Sequence, residues 1–320
     1  MSKSKSKFVA FILNQPKPVL IFASTLAFLI LLYPGHNLLQ RTVISPGPLF
    51  ARENLEIVLA DYPSSDGVTP PSVASTSYII QDIRSKTVLA SRRPDTPLPP
   101  ASITKLMTAM VALDAWPDTS TVLIVKNQNR AIGQTIDLIE GEELTLDSLL
   151  HALLIHSGND AALTIADNYP GGYAKFVEAM NAKALSLRLN RTSFKNPSGI
   201  DQYGHATTAR DIATLASIAL SNPSISSIVS KDKYVITDIT GKHKHELEST
   251  DELLTQLPGL IGGKTGWTTG AGECFVSYVE RGGRGIITVV LGSTNRFSDT
   301  TKLVEWAYAH HAWIVPDGSL

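Results

Sequence analysis

The sequence predicts an α+β fold, and three observations carry that expectation. Strand-like runs stand at both ends of the folded region, helical periodicity fills its centre, and no internal repeat divides it. Together they imply an antiparallel sheet packed by terminal helices, with a helical insertion between the strands. Residues 77–82 and 87–91 alternate as strands and are joined by a short turn at 84–86, which reads as a hairpin. After Pro97, Pro99 and Pro100, apolar side chains at Leu106, Met107, Met110, Val111 and Leu113 give residues 102–115 a helical period, with Ser102 in the first turn. Residues 146–155, 159–168, 173–187 and 209–220 read as further helices. Strand character returns at 233–238, 274–280 and 285–291, the last two joined by a turn at 281–284, and an amphipathic helix follows at about 299–311.

The N-terminus has a different character. Lys3, Lys5, Lys7 and Lys17 stand without an acid in residues 1–17, and residues 19–33 contain no charged side chain. That apolar length is at the short end of the roughly 20 residues a spanning helix needs, and the competing reading is a signal-peptide core. Tyr33, Pro34, Gly35, His36 and Asn37 supply no small-residue cleavage site, which favours an uncleaved anchor. The expected order is a basic cytoplasmic tail at 1–17, a transmembrane signal-anchor at 18–33, a Pro- and Ser-rich linker at 34–75 and the folded domain at 76–315. Such an anchor would make the cytoplasmic membrane a partner. Residues 55–59 are expected to form a short strand within the linker.

Composition excludes several classes. The 320 residues are 43% hydrophobic and 18% charged, enough to bury a substantial core. Lys and Arg total 28 against 29 Asp and Glu, a net charge of -1 that supplies no field to hold nucleic acid. Cys274 is the single cysteine, so it can form neither an internal disulfide, nor a C-x-x-C centre, nor a zinc cage. It reads as a small buried apolar group. His243 and His245 flank Lys244 in a polar segment and read as solvated, with no third ligand near. No metal and no cofactor are expected.

The residues with chemical potential lie in three separated stretches. Of four Ser-x-x-Lys pairs, only Ser102 with Lys105 falls on a helix, where a spacing of three puts both side chains on one face. Taken alone, Ser102 reads as a helix N-cap. As a nucleophile it would have unpaired backbone N–H groups beside its oxygen, and Lys105 could serve as its base if burial or a second cation kept the amine neutral. The candidate second cation is Lys264, in the only Lys-Thr-Gly of the chain, Lys264-Thr265-Gly266. A phosphate loop would require glycine where Pro258 stands. The segment reads instead as a strand edge whose lysine and hydroxyl can hold a carboxylate, or as an ordinary glycine-rich hairpin. The third stretch is Ser157-Gly158-Asn159, between two helices. It reads either as a cap or as a proton relay with an amide for a substrate carbonyl.

In order, Ser102-x-x-Lys105, Ser157-x-Asn159 and Lys264-Thr265-Gly266 resemble the three motifs of penicillin-binding proteins and serine β-lactamases. The flanks of Ser102, from Pro100 to Thr108, are similar to those of low-molecular-weight D-alanyl-D-alanine carboxypeptidases. So is the run from Phe194 to Ile200, followed by His205 and Thr208-Ala209-Arg210-Asp211. The resemblance covers about 77–311.

It implies a five-stranded antiparallel sheet flanked by helices, a helical subdomain, and a cleft between the two. It also implies that Ser102 attacks the carbonyl between two D-alanines of a peptidoglycan stem peptide, with Lys105 taking its proton. Ser157 would pass a proton to the departing D-alanine, Asn159 would meet a substrate carbonyl, and Lys264 with Thr265 would bind the terminal carboxylate. The backbone N–H groups of Ser102 and Trp267 would form the oxyanion hole beside Gly266, and β-lactam antibiotics would acylate Ser102. The catalytic domain would then lie outside the cell membrane. Where relatives often carry an asparagine-rich turn, this chain has Ser249-Thr250-Asp251, and Trp267 is bulky for its position.

The alternatives are an endopeptidase cutting peptide cross-links, a β-lactamase, and an inactive scaffold binding wall peptides. Glu178 lies beyond the second motif on an expected helix and lacks the loop a deacylating base would need. Arg296 could add positive charge to the carboxylate pocket or lie on the surface, and His205 could order the loop before Thr208.

Overall fold

The computed structural model describes residues 16–32, 61–126 and 131–314. They fall into an N-terminal unit and a larger second unit. The described element of the first is α1 (Lys17–Leu32), an apolar helix of 16 residues. It rises about 24 Å, against a hydrocarbon layer of roughly 30 Å. Among the described residues, no single helix is long and apolar enough to cross a membrane.

The second unit is built on one sheet. β2 (Ser77–Asp82), β3 (Val88–Arg92), β8 (Leu260–Thr268), β9 (Gly272–Arg281) and β10 (Arg284–Ser293) pair antiparallel in the order β3-β2-β10-β9-β8. The expected hairpin turns are present. Asp82 Oδ1 accepts the N–H groups of Arg84 and Ser85, and Gly282 with Gly283, both at positive φ, reverses the chain between β9 and β10.

Alternation along the strands sends side chains into two cores. Ile79, Cys274, Val276, Ile287 and Val289 meet the helical layer, while Ile80, Phe275, Val279, Ile286 and Val290 meet the last helix. On the first face lies α6 (Ala209–Ala219), whose N-cap Thr208 accepts from Asp211 N. It packs on α2 (Thr104–Ala115), and around these lie α3 (Leu146–Leu154), α4 (Asn159–Asn168), α5 (Gly172–Ser186) and α7 (Pro223–Val229). On the other face lies α8 (Arg296–Ala309), capped by Asn295 accepting from Ser298 N. The expected α+β plan and five-stranded sheet are therefore present.

Two expectations need correction. The linker expected over 34–75 is folded from residue 61 onward: β1 (Tyr62–Ser65) pairs with β11 (His311–Ile314), and Val73 enters the second core. Asp299 fixes this stretch by accepting the N–H groups of Ala74 and Ser75 at 3.0 and 2.8 Å. Proline-rich sequence concealed the order because its partners lie more than two hundred residues away. The strand expected at 55–59 lies outside the described residues.

Second, the polar segment around His245 is largely exposed as expected, but it is an ordered strand and His245 itself is drawn inward. The strand is β7 (Lys244–Glu248), paired with β6 (Lys233–Thr237), and His245 packs its ring against the buried Glu142 at 2.7 Å. A third piece, β4 (Val122–Ile124) with β5 (Glu143–Thr145), escaped notice because its strands are three residues long.

Candidate active site

Ser102 sits in a tight 3-10 turn, Ala101–Ile103, that runs directly into α2. Ala101 holds a left-handed φ of 48°, unusual for a residue with a Cβ, which orients this turn toward the sheet. Two glycines make the approach possible. A Cβ at Gly199 would lie 1.9 Å from Ala101 O, and one at Gly266 would lie 2.8 Å from Ser102 N. The Phe194–Ile200 run and β8 thus close on the Ser102 turn from two sides.

One helical turn on, Lys105 is fully buried. Its Nζ lies 2.7 Å from Ser102 Oγ, 2.6 Å from Asn159 Oδ1 and 2.8 Å from Ser198 O. The last two oxygens can only accept. A neutral amine can satisfy both with its two N–H groups and turn its lone pair to the Ser102 hydroxyl. Burial, and then the like charge of Lys264, push the Lys105 amine well below its ordinary value, toward that neutral state.

Ser157 lies between α3 and α4 with a left-handed φ of 65°. Its Oγ accepts from Lys264 Nζ at 2.9 Å, so the second hydroxyl faces the second lysine. Asn159 opens α4, accepts from Lys105, and donates through Nδ2 to Ile132 O at 2.6 Å. Its amide therefore already bridges Lys105 to the loop over the cleft.

Lys264 is buried on β8, the edge strand nearest the Ser102 turn. It donates also to Thr265 O at 3.1 Å, and the Thr265 hydroxyl meets that of Thr250. Burial, followed by repulsion from Arg296, lowers the Lys264 amine to about 7, while Asp251 opposes the fall. Arg296 is drawn into the cleft wall rather than lying free on the surface, donating to Gly266 O at 3.1 Å.

One open cleft of about 510 Å³ is bounded by Ser102, Ser157, Asn159, Thr265, Gly266 and Trp267, with Lys105 and Lys264 buried behind its wall. Trp267, 63% exposed, stands at its mouth. Neither the loop at Ile132, Gly133 and Gln134 nor Thr250 was assigned a role from sequence, though both line the cleft. The loop carries no reactive residue. Its place is set by Asp160, whose Oδ2 accepts from Ile136 N and Leu138 N.

His205 has a larger task than ordering its own loop. It bonds Thr104 Oγ1 at 3.0 Å and accepts from Lys195 N, with burial lowering it to about 4, so it stays neutral and clamps α2. Glu178 lies on α5, exposed and paired with Lys175. Among the described residues no three His, Cys, Asp or Glu side chains group as a metal site requires.

A buried lysine touching a serine at a helix start, with a second lysine and a hydroxyl across the cleft, is equipped for acyl transfer. Fold and cleft define a serine-type peptidase, a hydrolase. Residues 64–295 match the profile of the D-alanyl-D-alanine carboxypeptidase family, and the chain belongs to that family. It is 34% identical over 258 residues to the D-alanyl-D-alanine carboxypeptidase DacB2 of Mycobacterium tuberculosis, a match covering 78% of this chain and 88% of that protein. It is 32% identical over 256 residues to a D-alanyl-D-alanine endopeptidase of Escherichia coli, covering 78% and 82%. Among solved structures it resembles the Streptomyces K15 DD-transpeptidase, with a TM-score of 0.71 and 30% identity over 76% of this chain and 100% of that one.

Proposed function

We propose that this chain removes the terminal D-alanine from peptidoglycan stem pentapeptides through an acyl-enzyme at Ser102. The observation that carries the reading is the Lys105 amine, 2.7 Å from Ser102 Oγ with its other contacts on obligate acceptors. Lys105 takes the Ser102 proton as Oγ attacks the carbonyl between the two D-alanines. The backbone N–H groups of Ser102 and Trp267 hold the resulting oxyanion, a contribution of about a hundredfold or more. Ser157 delivers a proton to the leaving amine. The proton that Lys105 took from Ser102 is the one passed on, and the hydrogen bond from Lys264 Nζ holds the Ser157 hydroxyl in place. Lys264 and Thr265 hold the terminal carboxylate, and Asn159 positions both Lys105 and the substrate carbonyl. Water then hydrolyses the ester. Penicillins acylate the same oxygen.

Carboxypeptidase action is favoured over cross-link cleavage because Thr265 and Arg296 line the cleft and Lys264 is buried against its Ser157, a set of groups suited to a free carboxylate. With purified protein and a pentapeptide, free D-alanine is the expected product, whereas split cross-linked dimers would replace this reading by the endopeptidase one. Labelled penicillin should mark wild type but not Ser102→Ala, and equal marking would overturn the assigned nucleophile. Formation of neither product, with no labelling, would leave the scaffold reading.

The lysine-bearing leader and the charge-free run at 19–33 serve as a membrane anchor, with the second unit outside. Deleting residues 1–33 should move the protein from the membrane to the soluble fraction.

A further inference from the structure

The segment between β7 and β8 carries an acid that the mechanism above leaves unused. Asp251 is 6% exposed. Its N–H donates to Ser249 Oγ at 3.1 Å, and its Oδ1 accepts from Leu253 N at 3.0 Å. Oδ2 is buried without a hydrogen-bond partner among the described residues. A carboxylate oxygen in that state loses its hydration, and the Leu253 N–H on its partner oxygen and nearby positive charge are what offset the loss. The preceding residue, Thr250, joins hydroxyls with Thr265, which fastens this segment to β8 one position from Lys264.

The charged groups that act on Asp251 come from three places. Lys264 on β8 and Arg296 at the start of α8 favour its ionised form, and the adjacent Glu252 opposes it. Burial outweighs the Leu253 hydrogen bond and both cations and raises the carboxyl to about 6. The coupling runs both ways: Asp251 supports the proton on Lys264 against burial and against Arg296.

We propose that Asp251 is a positioning residue for the carboxylate-binding site: its buried carboxylate, fastened beside β8, keeps the Lys264 amine cationic as pH rises. This rests on the role given to Lys264 under Proposed function. A second consequence follows from the first. Because Lys264 charge depresses the Lys105 amine, Asp251 also helps keep that base neutral. The sign is determinate. Near pH 6 and below, Asp251 carries its proton and Lys264 is cationic without help; above that, the ionised Asp251 extends the cationic range of Lys264.

The test is the pH profile of Asp251→Asn, a near-isosteric change that keeps an acceptor for Leu253 N. The alkaline limb of kcat/KM for D-alanine release should move at least half a pH unit toward acid, a loss of about threefold to tenfold on that limb. At pH 6 the two proteins should agree within about twofold. An unmoved limb overturns the proposal, and so does an equal loss at every pH, which would mark a merely structural residue.

A second readout is independent of activity: NMR titration of carbon-13-labelled lysine, with the Lys264 signal assigned by its absence in Lys264→Met. Its midpoint should fall in Asp251→Asn, and equal midpoints overturn the proposal. If Asp251→Asn does not fold, wild type alone decides. Lys264 must then sense the Asp251 ionisation near pH 6, and a flat response there overturns the coupling. Should wild type release no D-alanine and take no penicillin, the functional reading fails while the lysine titration still decides this inference.

Discussion

Two lysines reach the cleft from opposite layers of the molecule, and their surroundings give one side chain two chemistries. Lys105 comes from a helix in the helical layer and is enclosed by neutral oxygens, with Lys264 lowering its amine and Asp160 opposing the fall. Lys264 comes from the sheet edge, with Arg296 lowering its amine and Asp251 opposing the fall. Both are buried, so burial alone cannot separate them. Nor does the sign of the neighbouring charges, since each amine has a cation that lowers it and an acid that raises it. Their partners differ: the Lys105 amine meets the Ser102 hydroxyl and two obligate acceptors, and the Lys264 amine meets the Ser157 hydroxyl and the Thr265 carbonyl.

The most severe way to probe this contrast is Lys105→Arg. A guanidinium stays protonated and cannot accept the Ser102 proton, so the acylation rate by labelled penicillin should fall about a thousandfold. Retention within tenfold would break the assignment of the base. On the other side, Lys264→Gln should lower kcat/KM for substrates ending in a free carboxylate by about a hundredfold, by the loss of a charge-assisted contact. A C-terminal amide should suffer much less. Equal losses on both substrates would show that Lys264 does not hold the carboxylate.

Acid and alkali should then divide the same pair. As pH falls, Lys105 gains a proton and the base is lost; as pH rises past about 7, Lys264 loses one and carboxylate binding weakens. Measured kcat/KM should therefore be bell-shaped, falling at most about tenfold per unit on the alkaline side. An alkaline limb unchanged in Lys264→Gln would assign it elsewhere. The smallest effect belongs to the mouth: Trp267→Ala removes an exposed ring but no backbone N–H, so KM should rise severalfold with kcat nearly unchanged.

Much of this contrast was legible in the sequence. The spacing of Ser102 and Lys105 on one helical face, and the strand edge at Lys264, are local patterns set by periods of 3.6 and 2. The same periods gave α4 and β2 their observed limits. The acceptors around Lys105 were less accessible. Ser198 contributes a carbonyl rather than a side chain, and it arrives only because Gly199 lets its segment approach Ala101. The loop at 132–134 offers no reactive group to notice, and nothing local in Ser249-Thr250-Asp251 shows that Asp251 is buried.

The sequence alone determined which reactive groups exist and on which kind of element each lies, because side-chain chemistry and backbone periodicity are local properties. Tertiary structure alone decided what charge each group is set to carry. That depends on lost hydration and on neighbours brought from remote parts of the chain: Lys264 against Lys105, Asp251 and Arg296 against Lys264. Electrostatic fields act through space, and chain order does not reveal which charges they join.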